Sequence, residues 1–236
     1  MLYFTVKKRK DRARERHPAG RRTRMIKRLV LRDLLDVNCY LYADEVTGHA
    51  FLIDPGAQGE ELLAWIRDQG YTIEKILLTH GHFDHIGGLE ILGKREGIPV
   101  WIEEAGEAWL EDPTLNLSGR FRRKIVFQGA HFFRDGDTFS LENSPEYTLR
   151  VIHTPGHTPD SVIFYDEKHG FAFSGDTIFA GGHGNDTFPG GDGDQLIQSI
   201  LTRILTLPGD TVLYPGHGEA TTVAEEKGLY IHREED

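Results

Sequence analysis

Cysteine occurs once in this 236-residue chain, as Cys39, which excludes an internal disulfide framework and fits a reducing, cytoplasmic setting. Cys39 follows Val37-Asn38 and precedes Tyr40-Leu41-Tyr42, so it reads as a small buried strand residue and not as a nucleophile. Long apolar runs are missing as well. No stretch approaches the roughly 18 apolar residues of a membrane span, and no apolar segment follows the basic N-terminal residues as an export signal would require. No membrane partner is expected. Positive charge is scarce beyond the N-terminus: residues 1–28 hold twelve Lys or Arg against Asp11 and Glu15, whereas the remainder holds 15 basic against 35 acidic side chains. An acidic body of that size argues against a groove for polyanions, so a nucleic-acid partner is not expected either. The basic segment has no aromatics beyond Tyr3 and Phe4, and residues 1–24 read as a disordered tail ahead of a single folded domain over 25–236. Met25 is a candidate natural start. Fixed-period repeats and low-complexity linkers are absent, and the length suits one α/β domain with a sizeable core.

What is present is an alternation of short β signals and amphipathic helices. Strands are expected over 26–31, 38–43, 50–53, 76–79 and 98–102, with helices over 60–68, 89–95 and 104–110. The second half reads as strands near 137–141, 147–152, 161–165 and 171–174, a helix over 194–205 and a final strand over 211–214. Two β-rich halves, each closed by helices, imply two sheets packed face to face with helices outside.

The densest chemical signal is His80-Gly81-His82-Phe83-Asp84-His85, set at the end of the apolar run Ile76-Leu77-Leu78-Thr79. Histidines spaced by two emerge on the same side of an extended backbone and can close on one ion. Asp84 and His85 follow on a turn and are free to hold a second. Imidazole with carboxylate suits zinc, iron or manganese, and the nitrogen-rich set favours the first two. Three further candidates stand at strand ends, each after a glycine: His157, Asp176 and His217. Five imidazoles and two carboxylates suffice for two metals with open positions for water and substrate. The plain alternative, a histidine-rich surface loop, loses force once the later three are counted. His153, one residue past a strand, is a candidate for a supporting position behind the ligands. His17, His49, His131, His169 and His232 lack such context and read as surface or core residues.

These motifs resemble the metallo-β-lactamase superfamily, and within it the short-form glyoxalase II-like (hydroxyacylglutathione hydrolase-like) hydrolases. The resemblance runs from about residue 26 to 224. It rests on Thr79-His80-Gly81-His82-Phe83-Asp84-His85-Ile86-Gly87-Gly88, Thr154-Pro155-Gly156-His157-Thr158, Ser174-Gly175-Asp176-Thr177-Ile178-Phe179, Phe188-Pro189-Gly190-Gly191-Asp192 and Tyr214-Pro215-Gly216-His217-Gly218. It implies an αββα sandwich of two mixed β-sheets with helices on the outer faces. It also implies that His80, His82 and His157 hold one ion, that Asp84, His85 and His217 hold another, and that Asp176 bridges them. The expected cofactors are two zinc ions, with iron or manganese as alternatives. A water between two dications loses its proton near neutral pH, and the resemblance implies that it attacks a small-molecule thioester, with Asp84 also handling the proton.

Two departures bear on the substrate. Glyoxalase II carries a helical C-terminal domain that helps hold glutathione, whereas nineteen residues follow His217 here. Short relatives commonly read Gly-Arg-Thr-Asp-Phe-Pro-Gly-Gly where this chain has Gly184-Asn185-Asp186-Thr187-Phe188-Pro189-Gly190-Gly191, so an arginine able to pair with a substrate carboxylate is missing. The competing readings are an iron-dependent persulfide dioxygenase on the same scaffold, a lactone hydrolase and, last, a nuclease. Nothing in the sequence fixes the oligomeric state.

Overall fold

The computed structural model describes residues 25–231; the basic segment over 1–24, His17 and His232 lie outside the described residues. Six strands form the first sheet in sequence order: β1 (Ile26–Arg32), β2 (Asp36–Ala43), β3 (His49–Ile53), β4 (Thr72–Leu77), β5 (Val100–Glu103) and β6 (His131–Phe133). The first two pairings are antiparallel and the next three parallel. The second sheet runs β12-β11-β10-β9-β8-β7, from Thr221–Thr222, Val212–Pro215, Phe171–Gly175, Val162–Asp166, Ser144–His153 and Thr138–Leu141. It is antiparallel except between β10 and β11.

Side-chain alternation along the strands builds three apolar layers. In β2, Tyr40 and Tyr42 face the second sheet, while Cys39, Leu41 and Ala43 face outward. In β10 the division repeats, with Phe171 and Phe173 inward and Ala172 outward. The inner layer is rich in aromatics: Tyr40, Tyr42, Phe51, Phe133, Phe139, Phe164, Phe171 and Phe173 fill the space between the sheets. Leu62, Leu63 and Ile66 of α1 (Gly59–Asp68) cover the outer face of the first sheet. Leu196 of the helix over Gly193–Ser199, with Ile200 and Ile204 of the wider π-type turns Ile200–Ile204 that continue it, covers the second. The expected αββα sandwich is the observed fold.

Differences from the expected elements have local causes. The fourth strand starts four residues early, at Thr72, because Thr72, Ile73 and Lys75 pair with β3 although Thr72 is exposed and the next three residues are only half-buried. Strand β6 went unread because it is a three-residue edge, and the terminal helix Val223–Ile231 because its charged residues mask its stripe. The helix expected over 89–95 is observed as π-type turns over Glu90–Arg95.

Candidate metal centre

Four strands, β4, β8, β10 and β11, point their C-terminal ends at one edge of the sandwich. Their connections carry all seven expected residues. His80 and His82 follow β4, Asp84 and His85 lie in the short helix α2 (Phe83–Ile86), His157 lies between β8 and β9, Asp176 follows β10 and His217 follows β11. Links between the sheets hold these connections together. The Val162 N–H donates to the Thr79 carbonyl at 2.9 Å. The Asn38 side-chain amide donates to the Pro215 and Gly218 carbonyls at 2.9 Å each, and the Tyr40 hydroxyl donates to the Pro215 carbonyl at 2.7 Å.

The donor atoms fall into two adjoining sets. His80 Nε2 lies 3.1 Å from His82 Nδ1, which lies 2.9 Å from His157 Nε2. His217 Nε2 lies 3.2 Å from Asp84 Oδ2, with His85 Nε2 completing that set. Asp176 stands between them: its Oδ2 is 3.7 Å from His157 Nε2 and 3.5 Å from His217 Nε2, and its Oδ1 is 3.4 Å from His85 Nε2. Within each set the candidate ligand atoms lie within 4.8 Å of one another.

The two sets differ electrostatically. Burial lowers the basicity of all three imidazoles in the first, bringing His82 down to about 3, and their mutual proximity adds to the effect at His80 and His82. They are neutral near pH 7, with lone pairs free to ligate. In the second set burial also opposes charge, but carboxylates outweigh it. Asp176 and Asp54 raise His85, and Asp176 with Asp84 brings His217 up to about 10. Asp176 itself is held well below the usual carboxylate range by His85 and His217 despite its burial. This field attracts positive charge. His85 Nε2 and Asp176 Oδ1 are buried without a hydrogen-bond partner, an arrangement expected of metal ligands and costly otherwise. A Cβ on Gly216 would sit 2.3 Å from Asp176 Oδ1 and 2.7 Å from His85 Cε1, so only glycine keeps this space open. The residues present therefore fit a pair of divalent cations.

Supporting contacts orient the rings. His157 Nδ1 donates to the Asn185 carbonyl and His217 Nδ1 to the Asp36 carbonyl, both at 2.7 Å, leaving each Nε2 to face the centre. His85 Nδ1 lies 2.9 Å from the carboxylate of Asp54, which also accepts from the Thr79 N–H and hydroxyl at 2.8 and 2.6 Å. Asp54 went unread because Asp54-Pro55-Gly56 looks like an ordinary turn; the usable signal was an acid directly after the buried strand Ala50–Ile53, beside the histidine-bearing strand. Asp160 was missed too. It is buried beneath Gly81, and burial brings its carboxyl up to about 6, with the Thr158 hydroxyl and the Gly81 N–H offsetting part of that. His153 instead turns to the Pro159 carbonyl at 2.8 Å. His49 pairs with Glu74, His131 stacks on Trp101 and His169 binds Asp166, as expected of residues outside the site.

The family model for the metallo-beta-lactamase superfamily matches residues 32–217. The chain belongs to that superfamily. A probable metallo-hydrolase, YqgX, from Bacillus subtilis (strain 168) is 36% identical over 195 residues, covering 82% of this chain and 90% of the relative. The hydroxyacylglutathione hydrolase GloC of Haemophilus influenzae (strain ATCC 51907 / DSM 11121 / KW20 / Rd) is 33% identical over 193 residues, covering 80% and 89%. Among solved structures, the BLEG-1 B3 metallo-beta-lactamase superposes with a TM-score of 0.80 at 36% identity, covering 86% of this chain and 97% of that one. TTHA1623 in a di-iron-bound form gives 0.72 at 34%, covering 83% and 94%. ETHE1 from Myxococcus xanthus gives 0.65 at 28%, covering 85% of each chain. The chain is thus a metallo-hydrolase-family enzyme with a His/Asp cluster suited to metal. Among the described residues, no helix is long and apolar enough to cross a membrane.

Proposed function

We propose that this chain is a dinuclear metal-dependent hydrolase of small-molecule thioesters of the hydroxyacylglutathione type. The observation that carries the reading is the convergence of two candidate donor sets around Asp176, which would offer each cation three side chains of its own and a shared carboxylate. His80, His82 and His157 would hold one cation and Asp84, His85 and His217 the other, with Asp176 common to both. Zinc or iron suits these donors, and a di-iron form of a 34%-identical neighbour keeps iron in play. When bound, two such cations supply Lewis acidity toward a carbonyl oxygen and bring the acidity of water close to neutral pH.

The remaining work falls to the chain. Asp84 lies at the edge of the centre against His217, within reach of a proton released there, and is the candidate to carry it to the leaving group. The carbonyl contacts of His157 and His217 and the Asp54 contact of His85 keep the ligand rings from rotating. Similarity to GloC favours the thioester. Similarity to ETHE1 supports a second reading, iron-dependent oxidation of a persulfide, which needs one metal and leaves the second donor set without a purpose. A panel of S-lactoylglutathione, a lactone and a glutathione persulfide, assayed with zinc- and iron-loaded protein, separates them. Thioester turnover without oxygen uptake is expected; oxygen uptake on the persulfide alone overturns the hydrolase reading.

A further inference from the structure

The loop between α3 (Gly106–Glu111) and β6 concentrates positive charge on an otherwise acidic body: Arg120, Arg122, Arg123 and Lys124 fall within five residues. It is a built segment. The buried Asn116 donates from its side-chain amide to the Trp109 and Ile125 carbonyls at 2.9 Å each, and accepts from the Ser118 N–H at 3.0 Å. Its own carbonyl takes the N–H of Phe83, the first residue of α2, at 2.9 Å, so the loop is fastened to the helix that carries Asp84 and His85. The rings of Phe121 and Phe83 pack at 4.9 Å. Leu117 and Arg122, which flank the helical turn Ser118–Phe121, sit at φ of 68° and 57°. Side chains other than glycine hold that conformation only where the surroundings enforce it.

The turn carries Arg120 to the centre's mouth. The guanidinium carbon lies 5.2 Å over the ring of Phe188, whose centroid is 5.7 Å from that of His82 and 6.5 Å from that of His157. One aromatic ring therefore separates this cation from two candidate ligands. Arg123 is committed to Asp33, whereas the exposed Arg120 makes no ion pair among the described residues. Stacking on a ring face fixes a guanidinium while leaving its N–H edge open to a planar anion. Asn185 cannot serve that role: its side-chain oxygen accepts from the Thr187 N–H and hydroxyl at 2.7 Å each, and it carries no charge.

We propose that Arg120, held over Phe188, is the residue by which this site recognises a carboxylate on its substrate, so that the preferred substrate is an acidic one. The cation reaches the mouth from a different loop than the one that carries Asn185. The proposal rests on the hydrolase reading for its use, but its test does not. Full-length protein is titrated calorimetrically with S-methylglutathione, which bears carboxylates and no free thiol, and with its diester. The wild type should bind the diacid about two- to fivefold more tightly than the diester, the range an exposed ion pair provides. Arg120→Gln should abolish that preference, while Lys124→Gln, which removes the same charge from the same loop, should retain it. No preference in the wild type, a preference surviving Arg120→Gln, or an equal loss in Lys124→Gln overturns the proposal. Thioester turnover is measured alongside: its absence with the Arg120-dependent preference intact supports the carboxylate site and refutes the thioesterase reading alone.

Discussion

Asp54→Asn exchanges one carboxylate oxygen for an amide nitrogen at a position where both oxygens are engaged. The Asp54 carboxylate accepts from the Thr79 N–H at 2.8 Å through Oδ1, and from the Thr79 hydroxyl at 2.6 Å and His85 Nδ1 at 2.9 Å through Oδ2. An amide can keep its oxygen on the Thr79 N–H, but its nitrogen then faces the hydroxyl and the ring. The hydroxyl can rotate to accept. His85 cannot adapt so cheaply, because an Nδ1 that accepts leaves the ring proton on Nε2, the nitrogen that faces Asp176 Oδ1 at 3.4 Å and would ligate the second cation. Losing an orienting contact of this kind costs about 10–100-fold in metal affinity, or about 1.4–2.7 kcal/mol. The loss should fall mainly on the second equivalent of metal: His82 and His157 do not touch Asp54, and the first set meets it only through the Thr79 hydroxyl, which lies 3.2 Å from His80 Nδ1. Asp54→Ala should also lower stability by about 3–5 kcal/mol, because it leaves buried donors on Thr79 and His85 unpaired. Chelator-competition titration resolves the two equivalents, and denaturant unfolding of metal-free protein reports stability. Wild-type affinity for the second equivalent in a folded Asn variant would refute the tautomer argument.

Gly216→Ala should reduce activity at least tenfold and weaken the second metal, because its Cβ would crowd Asp176 Oδ1; unchanged metal stoichiometry and rate would contradict this. Asp160 predicts a pH dependence of stability. Its carboxyl is raised from 3.8 to about 6, so the native state keeps a proton that the unfolded chain has released. Stability should therefore fall as pH rises through that window, by at most about 3 kcal/mol, and stay level above it. Asp160→Asn should flatten this slope and gain stability at pH 7, as read from denaturant midpoints; a slope that persists would show that another group causes it. Metal entry should also release protons unevenly. His85 and His217 are protonated in metal-free protein at pH 7, whereas the first set is neutral, so binding the second equivalent should release protons and strengthen as pH rises toward 10. Calorimetry in buffers of different ionisation enthalpy reads this, and equal release at both steps would argue against the assignment.

The sandwich was legible because period-2 alternation in segments such as Tyr40-Leu41-Tyr42 and Phe171-Ala172-Phe173 divides residues between layers without ambiguity. The seven candidate donors could be named from the sequence because a dense histidine and aspartate cluster after one strand, and histidine or aspartate after glycine at three later strand ends, carry their chemistry in the sequence itself. Their supports were not. Asp54 and Asp160 become meaningful only when strands distant in sequence bring them against Thr79, His85 and Gly81, and a lone acid after a strand also occurs in many turns. Arg120 carries no signal of its own in the sequence, and only packing sets it over Phe188. Short elements at sheet edges, such as His131–Phe133, are decided by their neighbours and not by their own pattern.

The central claim, a two-cation centre built by seven side chains, is tested most directly by counting metal in purified full-length protein after exhaustive dialysis, alongside His217→Ala and His157→Ala. The account predicts about two transition-metal ions per chain in the wild type and about one in each variant, since each variant removes a ligand from one set only. A wild type that holds a single iron, or a His217→Ala variant that keeps both metals, would contradict it.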